Sequence, residues 1–172
     1  MSKVQIVVSG LGWMGGGIGS IESAIQELLE NAQDEILLTA YSIGNADRIF
    51  DLLDSALARG VRVRMVVNRF SEQHDSVQYR LAQLQRKYPH FYLHMFSPNG
   101  ERGDLHAKVL VVDRNQALVG SSNLSYNGMV LNYELAVLMR DPEAVSQVAM
   151  AIDRLTGTQR TESRDSVHDA DQ

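Results

Sequence analysis

A histidine and a lysine stand two positions apart in a short apolar run, and both residue types suit phosphate chemistry. The run extends from His106 through Lys108 to Asp113. It predicts a strand over residues 105–113, in which alternate side chains point to the same face of a sheet. His106 and Lys108 then lie side by side, about 7 Å apart along the strand. Asp113 points to the other face, which favours a structural role at the strand end.

The histidine and the lysine together indicate phosphoryl transfer. Neutral imidazole is a good nucleophile or general base near pH 7, and a nearby ammonium can neutralise a phosphate oxygen. The polar residues 120–123, Gly-Ser-Ser-Asn, follow a second predicted strand and offer hydroxyl and amide groups to the same anion. A phosphohistidine intermediate is the chemistry that this set suits. An isolated His-x-Lys pair is usually a surface pair, so the prediction depends on the whole string.

The complete string resembles the HKD signature of the phospholipase D superfamily. It runs His106-x-Lys108-x4-Asp113-x6-Gly120-Ser121-x-Asn123. It is most similar to the short bacterial nuclease branch, which carries one copy of the motif per chain and completes its site by forming a dimer. In those nucleases a glutamate after the turn hydrogen-bonds the catalytic histidine. Glu134 stands in the matching place.

The resemblance implies a metal-independent phosphodiesterase that acts as a homodimer on nucleic acid, with DNA expected in preference to RNA. His106 of one subunit would attack phosphorus, and His106 of the other would protonate the leaving oxygen. Lys108, Ser121 and Asn123 would hold the phosphate. Glu134 would orient His106 and favour its charged form. No metal and no cofactor are implied, because lysine and asparagine side chains supply the charge stabilisation that a divalent ion supplies elsewhere.

Two other functions compete with the nuclease hypothesis. The same constellation serves phospholipases and phosphatidyl-transfer enzymes, although the single motif and the lack of a basic amphipathic helix argue against a membrane surface as the substrate. The second alternative is a non-catalytic, nuclease-like scaffold subunit in a larger DNA-processing or defence complex, against which the intact site residues argue. A helicase or recognition subunit could also accompany an active nuclease.

Apolar periodicity predicts an α/β fold, in which a mixed sheet is flanked by helices on both faces. The sheet is expected to be mixed because strands 105–113 and 116–120 form a hairpin, with a tight turn at Arg114-Asn115. We predict one domain over residues 1–156 and a disordered polar tail over 157–172. The other predicted strands are 3–8, 35–41, 61–67, 91–96 and 133–139, and the predicted helices begin at caps Ser20 and Asn45, at residue 75 and at Asp141.

A glycine-rich connection covers residues 10–19. Its Gly10-x-Gly12-x-x-Gly15 pattern fits a dinucleotide fingerprint. The next helix begins too late to face a pyrophosphate, however, and the expected acidic residue is missing. A flexible connection near the mouth of a cleft is the preferred interpretation, with Trp13 as a packing or stacking group. After the phosphate turn, Tyr126, Met129 and Leu131 are candidates for a subunit interface.

Composition narrows the remaining functions. The chain has no cysteine, which excludes disulfides and cysteine-ligated zinc. The net charge is −5, yet residues 59–114 hold 10 basic and 5 acidic residues, which makes a local basic surface possible. No segment has the length of a membrane span or the pattern of a signal peptide, so a cytoplasmic protein without membrane contact is expected. The candidates for the basic surface are Arg59, Arg62, Arg64, Arg69, Arg80, Arg86, Lys87, Arg102, Lys108 and Arg114.

Overall fold

The fold is described from a computed structural model, which covers residues 2–97 and 103–157. Its α-helices are α1 (Ile21–Asn31), α2 (Asp47–Ala58), α3 (Asp75–Lys87) and α4 (Pro142–Thr156). A short 3-10 helix covers Phe70–Glu72, and a π-helical turn covers Asn127–Leu131. Its strands are β1 (Val4–Val8), β2 (Gly19–Ser20), β3 (Glu35–Ala40), β4 (Ile43–Gly44), β5 (Arg62–Asn68), β6 (Phe91–Phe96), β7 (Lys108–Val112), β8 (Gln116–Gly120), β9 (Leu124–Ser125) and β10 (Leu135–Met139).

Eight of these strands form one mixed sheet in the order β2-β1-β10-β8-β7-β3-β5-β6. From β1 through β10, β8 and β7 to β3, neighbouring strands are antiparallel. At the other side, β3, β5 and β6 are parallel, and the helices α2 and α3 connect them. Strands β4 and β9 form a separate parallel pair, in which Ile43 lies opposite Leu124. The predicted mixed α/β sheet is confirmed.

Helices cover both faces of the sheet, as predicted. Helices α1, α2 and α3 pack on one face, to which Leu38 and Leu110 contribute alternate side chains. Helix α4 covers the other face, against Leu37 and Val111. Since each buried aliphatic side chain contributes about 1.5–3 kcal/mol, these two cores hold the sheet in place.

Local signals fixed most helix boundaries. The Ser20 hydroxyl accepts a hydrogen bond from Ser23 N at 3.0 Å and caps α1, while Asp141 accepts one from Ala144 N and caps α4. The prediction that Asn45 caps α2 was wrong. That helix begins after Ala46, without a side-chain cap, and Asn45 adopts a left-handed φ of 42° in the preceding turn.

The hairpin that carries the motif differs from its prediction in two respects. Strand β7 begins at Lys108 rather than at residue 105, because β3 ends at Ala40 and provides no further backbone partner for the preceding segment. The turn lies at Asp113 and Arg114, whose φ values are 50° and 52°, rather than at Arg114-Asn115. Two consecutive left-handed residues form the turn type that matches the twist of a hairpin.

Two sequence-based expectations lie outside the described residues. One is the disordered tail, apart from Gly157, which ends α4 with a left-handed φ of 68°. The other is a loop over residues 97–104, predicted from their proline, asparagine and glycine residues, of which 98–102 lie outside the described ranges. Among the helices in the described ranges, none combines the length and the apolar character needed to cross a bilayer.

Candidate active site

The predicted site segments leave the sheet at one edge. The carboxyl ends of β1, β3, β5 and β8 lie there, together with the amino ends of β7 and β10, because neighbouring strands alternate in direction across the middle of the sheet. Lys108 at the start of β7 is paired with Gly120 at the end of β8, and Gly120 is paired with Ala136 of β10. The antiparallel order therefore brings together residues that are far apart in the sequence.

His106 and Lys108 are in direct contact at this edge. The Lys108 ammonium Nζ lies 2.7 Å from His106 Nδ1 and donates to the His106 carbonyl oxygen at 2.8 Å. An ammonium carries only donors, so it donates to Nδ1 when that nitrogen is unprotonated. His106 precedes β7 and is free of the strand ladder, which leaves its ring exposed at the edge.

Partial burial lowers the pKa of Lys108. The side chain of Lys108 lines an apolar pocket with Ile25, Leu38 and Leu118. Desolvation there lowers the pKa of Lys108 below its ordinary value of 10.5, while the negative charge of Glu134 opposes that shift. Partial burial therefore leaves the ammonium less hydrated than that of a fully exposed lysine, which strengthens its attraction for a phosphate oxygen.

Tyr41 contacts both members of the pair. Its ring centroid lies 4.2 Å from that of the His106 imidazole, and Lys108 Nζ lies 5.0 Å from the same tyrosine centroid. The electron-rich face of a tyrosine attracts cations, so Tyr41 favours a positive charge on either side chain. The sequence analysis did not single out Tyr41. Its only signal is its place directly after the buried strand β3.

Two buried polar side chains hold the backbone around His106. The Thr39 hydroxyl donates to the Ala107 carbonyl at 2.8 Å and accepts from Val109 N at 3.1 Å. The amide oxygen of Asn68 accepts from Leu105 N at 3.0 Å. Thr39 and Asn68 are each only 2% exposed. These bonds replace the strand ladder that the segment before β7 lacks.

The loops beside this segment are fastened as well. Arg69 forms an ion pair with Asp104, two residues before His106, at 2.6 Å. The hydrogen bond from Arg69 lowers the pKa of the Asp104 carboxyl. Gln73 joins two strand ends by donating to the carbonyl oxygens of Tyr41 and Asn68 at 3.0 and 2.9 Å. His106 therefore lies in a segment whose position is set by β3 and β5.

Ser121 and Glu134 are joined to each other on the opposite side of β7. The Ser121 hydroxyl donates to the Glu134 carboxylate, and Leu135 N donates to Ser121 Oγ at 3.3 Å. The hydrogen bond that the family resemblance implies between Glu134 and His106 is absent from the described part of the chain. Glu134 acts on Lys108 through its charge, which raises the pKa of the lysine against the effect of burial.

Asn123 carries an unsatisfied polar atom. Its Oδ1 is buried and has no hydrogen-bond partner within residues 2–97 and 103–157. A buried polar atom without a partner costs about 1–3 kcal/mol, and a bound ligand or water can remove that cost. The turn is held tightly, since a Cβ on Gly128 would lie 2.6 Å from the Asn123 carbonyl oxygen. A Cβ on Gly120 would likewise lie 2.4 Å from that of Ala136.

Asp113 lies away from this group, at the far end of β7. Its carboxylate accepts hydrogen bonds from Gln33 N at 3.0 Å, Asp34 N at 2.8 Å and Glu35 N at 2.9 Å. These bonds fasten the hairpin turn to the start of β3. Of the predicted site residues, the structure places His106, Lys108, Ser121, Asn123 and Glu134 at one edge of the sheet and Asp113 at the other.

The candidates for a subunit interface divide into two groups. Tyr126 and Leu131 are exposed, with 46% and 48% of their surface accessible, in agreement with an interface role. Met129 is only 6% exposed and packs in the main core, so its inclusion was wrong. The π-helical turn points Met129 inward between these two residues.

Five of the ten cations of the predicted basic surface are ion-paired, and one, Arg102, lies outside the described residues. Arg64 and Arg114 form a compact network with Glu35 and Asp153, with N–O distances from 2.8 to 3.1 Å. The pairs Arg69–Asp104, Arg80–Asp51 and Lys87–Asp54 neutralise three more cations. The described residues contain no group of three or more His, Cys, Asp or Glu side chains arranged to hold a metal ion.

Comparisons with known proteins agree with this geometry. The protein-family model described as "Cardiolipin synthase, PLD-like domain" matches residues 25–156. DISARM protein DrmC of Bacillus paralicheniformis is 37% identical over 120 residues, which cover 68% of this chain and 48% of DrmC. This chain therefore spans about half the length of that relative.

Two solved structures share the fold across nearly the whole of both chains. NucT from Helicobacter pylori superposes with a TM-score of 0.72 at 21% identity, covering 90% of this chain and 97% of NucT. Nuc from Salmonella typhimurium, a phospholipase D family member, gives a TM-score of 0.71 at 22% identity, covering 91% and 95%. The two solved structures share the fold, and the family match establishes that the chain belongs to the phospholipase D superfamily.

Proposed function

We propose that this protein is a metal-independent endonuclease, which hydrolyses nucleic-acid phosphodiester bonds through a phosphohistidine at a homodimer interface. The observation that carries the proposal is the contact of the Lys108 ammonium with the His106 imidazole, 2.7 Å from Nδ1, at the edge where the Asn123 turn and Glu134 also lie. The edge thus holds a nucleophile, a cation and the Asn123 amide, whose nitrogen can donate to a phosphate oxygen. DNA is the proposed substrate in preference to RNA.

The reaction proceeds in two displacements. A neutral His106 ring nitrogen attacks phosphorus, the bond from phosphorus to the leaving oxygen breaks, and His106 of the second copy gives its proton to that oxygen. The second imidazole, now neutral, takes a proton from water. The resulting hydroxide attacks phosphorus, the P–N bond breaks, and both rings return to their starting states.

The charges at the edge support both steps. Lys108 neutralises non-bridging phosphate oxygens, and the Asn123 amide nitrogen donates to them. Tyr41 lies against His106, where its ring can stabilise the imidazolium that protonates the leaving oxygen. Glu134 accepts a hydrogen bond from Ser121, and its negative charge balances the positive charges of Lys108 and the imidazolium.

Dimerisation follows from the need for two imidazoles. One chain has one motif histidine, yet the reaction needs both a nucleophile and a general acid. An isologous dimer supplies the second histidine by symmetry. The exposed Tyr126 and Leu131 lie after the phosphate turn and are the proposed contacts. A larger assembly with a helicase or recognition subunit remains a further proposal for this chain.

The purified protein should be assayed on end-labelled single- and double-stranded DNA, on RNA and on phospholipid vesicles, each with and without EDTA. Cleavage of DNA that persists in EDTA and is lost in His106→Ala is the expected result. His90→Ala is the matched control, because His90 directly precedes β6, at the edge of the sheet opposite the site, and should leave activity unchanged. Activity that EDTA abolishes and Mg²⁺ restores would contradict the mechanism.

Phosphatidyl transfer is the second candidate function. The description of the matching family model, which names cardiolipin synthase, favours it. The same pair of imidazoles would then pass a phosphatidyl group to an alcohol instead of water. Turnover of the vesicles without cleavage of any nucleic acid would favour this candidate over the nuclease.

A further inference from the structure

An exposed aromatic pair lies beside the candidate active site. The rings of Trp13 and Tyr133 meet edge to face, with centroids 5.4 Å apart and an interplanar angle of 82°. Trp13 is 46% exposed and Tyr133 is 60% exposed. Tyr133 directly precedes Glu134, the residue that holds Ser121. Through Tyr133, the aromatic pair therefore adjoins the proposed phosphate site in the sequence.

The glycine-rich segment is shaped to hold this pair. A Cβ on Gly12 would lie 2.5 Å from the Tyr133 hydroxyl oxygen, and one on Gly10 would lie 3.0 Å from Tyr133 Cγ. A side chain at Gly12 would force the Tyr133 ring to shift, and one at Gly10 would be strained by the left-handed φ of 91°. The segment is also anchored, since Ser9 N donates to the Glu134 carbonyl and Gly10 N donates to the Val130 carbonyl. Residues 9 and 10 are therefore held against the segment that contains Tyr133.

The position of the pair suits the path of a bound strand. Segment 9–13 follows β1, and Tyr133 precedes β10, which lie three and two strands from β7 along the same edge of the sheet. Neighbouring strands are about 4.8 Å apart, which puts the aromatic pair roughly 10–15 Å from the start of β7. A nucleotide chain whose phosphate rests on Lys108 reaches this distance within a few nucleotides.

The charge of the protein indicates why contacts with bases, in addition to phosphates, are needed. The net charge is −5, and Arg64, Arg69, Arg80, Lys87 and Arg114 are ion-paired with acidic groups. These ion pairs reduce the number of cations free for phosphate contacts, which normally supply most non-specific affinity. Residues 9–21 contain no charged side chain, so nothing in the segment repels a strand. Base stacking on aromatic rings provides affinity that does not depend on charge.

We infer that Trp13 and Tyr133 form a stacking platform for a nucleobase of a single-stranded segment, a few nucleotides from the phosphate that Lys108 binds. The inference rests on the proposed nuclease function. Removal of one ring should weaken binding of single-stranded oligonucleotide about 10- to 100-fold, the range expected for one stacked base.

Fluorescence tests the platform directly, because Trp13 is the only tryptophan in the chain. The His106→Ala protein, which binds without cutting, is titrated with a short single-stranded oligonucleotide and with an abasic strand of equal length. The expected result is quenching by the oligonucleotide and little change with the abasic strand. Equal quenching by both strands, or binding of the oligonucleotide without quenching, would overturn the inference.

A second experiment separates the platform from the chemistry and from a structural role. Trp13→Ala and Tyr133→Leu are compared with wild type on an oligonucleotide and on bis(4-nitrophenyl) phosphate, which offers no distant base. We expect the KM for the oligonucleotide to rise about 10- to 100-fold, with turnover of the small ester unchanged. Tyr92→Leu, which removes an exposed ring on β6, is the matched control.

The remaining outcomes of these experiments overturn either the stacking platform or the proposed function. Equal loss on both substrates assigns the pair a structural role and overturns the platform. Conversion of the variants to monomers in light scattering assigns it to contact with a second copy, with the same consequence. A wild-type protein that cleaves neither substrate refutes the proposed function itself, whereas the fluorescence titration still reports whether a base stacks on Trp13.

Discussion

Replacement of Thr39 by valine tests how the fold holds His106. Valine has nearly the shape of threonine but lacks the hydroxyl that bridges the Ala107 carbonyl and Val109 N. Both backbone groups then lose a partner at a position where Thr39 is 2% exposed. Each unsatisfied buried group costs about 1–3 kcal/mol, and some relaxation toward water is expected. The free energy of unfolding should therefore fall by about 2–4 kcal/mol.

The catalytic effect should exceed the effect on stability. The segment from Leu105 to Val109 carries His106 and begins before the strand ladder, so loss of the bridge displaces the imidazole relative to Lys108. A misplacement of about 1 Å can cost on the order of 100-fold in rate. We expect kcat on bis(4-nitrophenyl) phosphate to fall about 10- to 100-fold, at a temperature where the variant is fully folded.

Urea unfolding and steady-state kinetics together check this reasoning. Thr39→Ser keeps the hydroxyl and serves as the matched control, with kcat close to that of wild type. A Thr39→Val protein with wild-type kcat would refute the argument that the bridge positions His106. So would a serine variant as impaired as the valine variant, because the loss would then come from packing and not from the hydrogen bonds.

Three further predictions follow from single contacts. Burial lowers the pKa of Lys108, and the negative charge of Glu134 opposes that shift. Glu134→Gln should therefore lower the pKa of Lys108 further in NMR titration, and phosphate binding should be lost at a less alkaline pH than in wild type. An unchanged pKa of Lys108 would contradict this coupling. Gly120→Ala should cost about 1–3 kcal/mol in urea unfolding, since its Cβ would lie within 2.4 Å of the next strand; wild-type stability contradicts the close approach. Burial alone would raise the pKa of Asp153, but its arginine partners lower it, so its stabilisation is present at neutral pH and lost as pH falls through that lowered pKa. Asp153→Asn should lower the free energy of unfolding by about 1.5–3 kcal/mol at pH 7 and by much less in acid. The control Asp51→Asn, in an exposed ion pair, should lower it by under about 1 kcal/mol. A loss for Asp153→Asn that does not change with pH would contradict the linkage.

The local part of the site could be predicted from the sequence. Strand alternation puts Lys108 and Leu110 on one face and Val111 on the other, and the structure shows that arrangement. The caps Ser20 and Asp141 were also predictable, because a side-chain oxygen satisfies an exposed backbone N–H wherever a helix begins. These features depend on neighbours within a few residues.

The residues that support His106 could not be predicted in this way. Thr39 and Asn68 look like polar interruptions in apolar strands, and their role appears only once β3 lies beside β7 and β5 beside β3. Tyr41 reaches His106 for the same reason. Met129 illustrates the opposite error, since the π-helical turn that directs it into the core has no signature in the spacing of apolar residues.

The central claim is that two copies of His106 act in one site. Its most direct test is a mixed dimer of a wild-type subunit and a His106→Ala subunit, each with a different affinity tag and purified through both tags. The mixed dimer should have almost no activity on labelled DNA, because one imidazole cannot serve as both nucleophile and general acid. About half of the wild-type activity in the mixed dimer, or full activity in a monomer, would contradict the shared site.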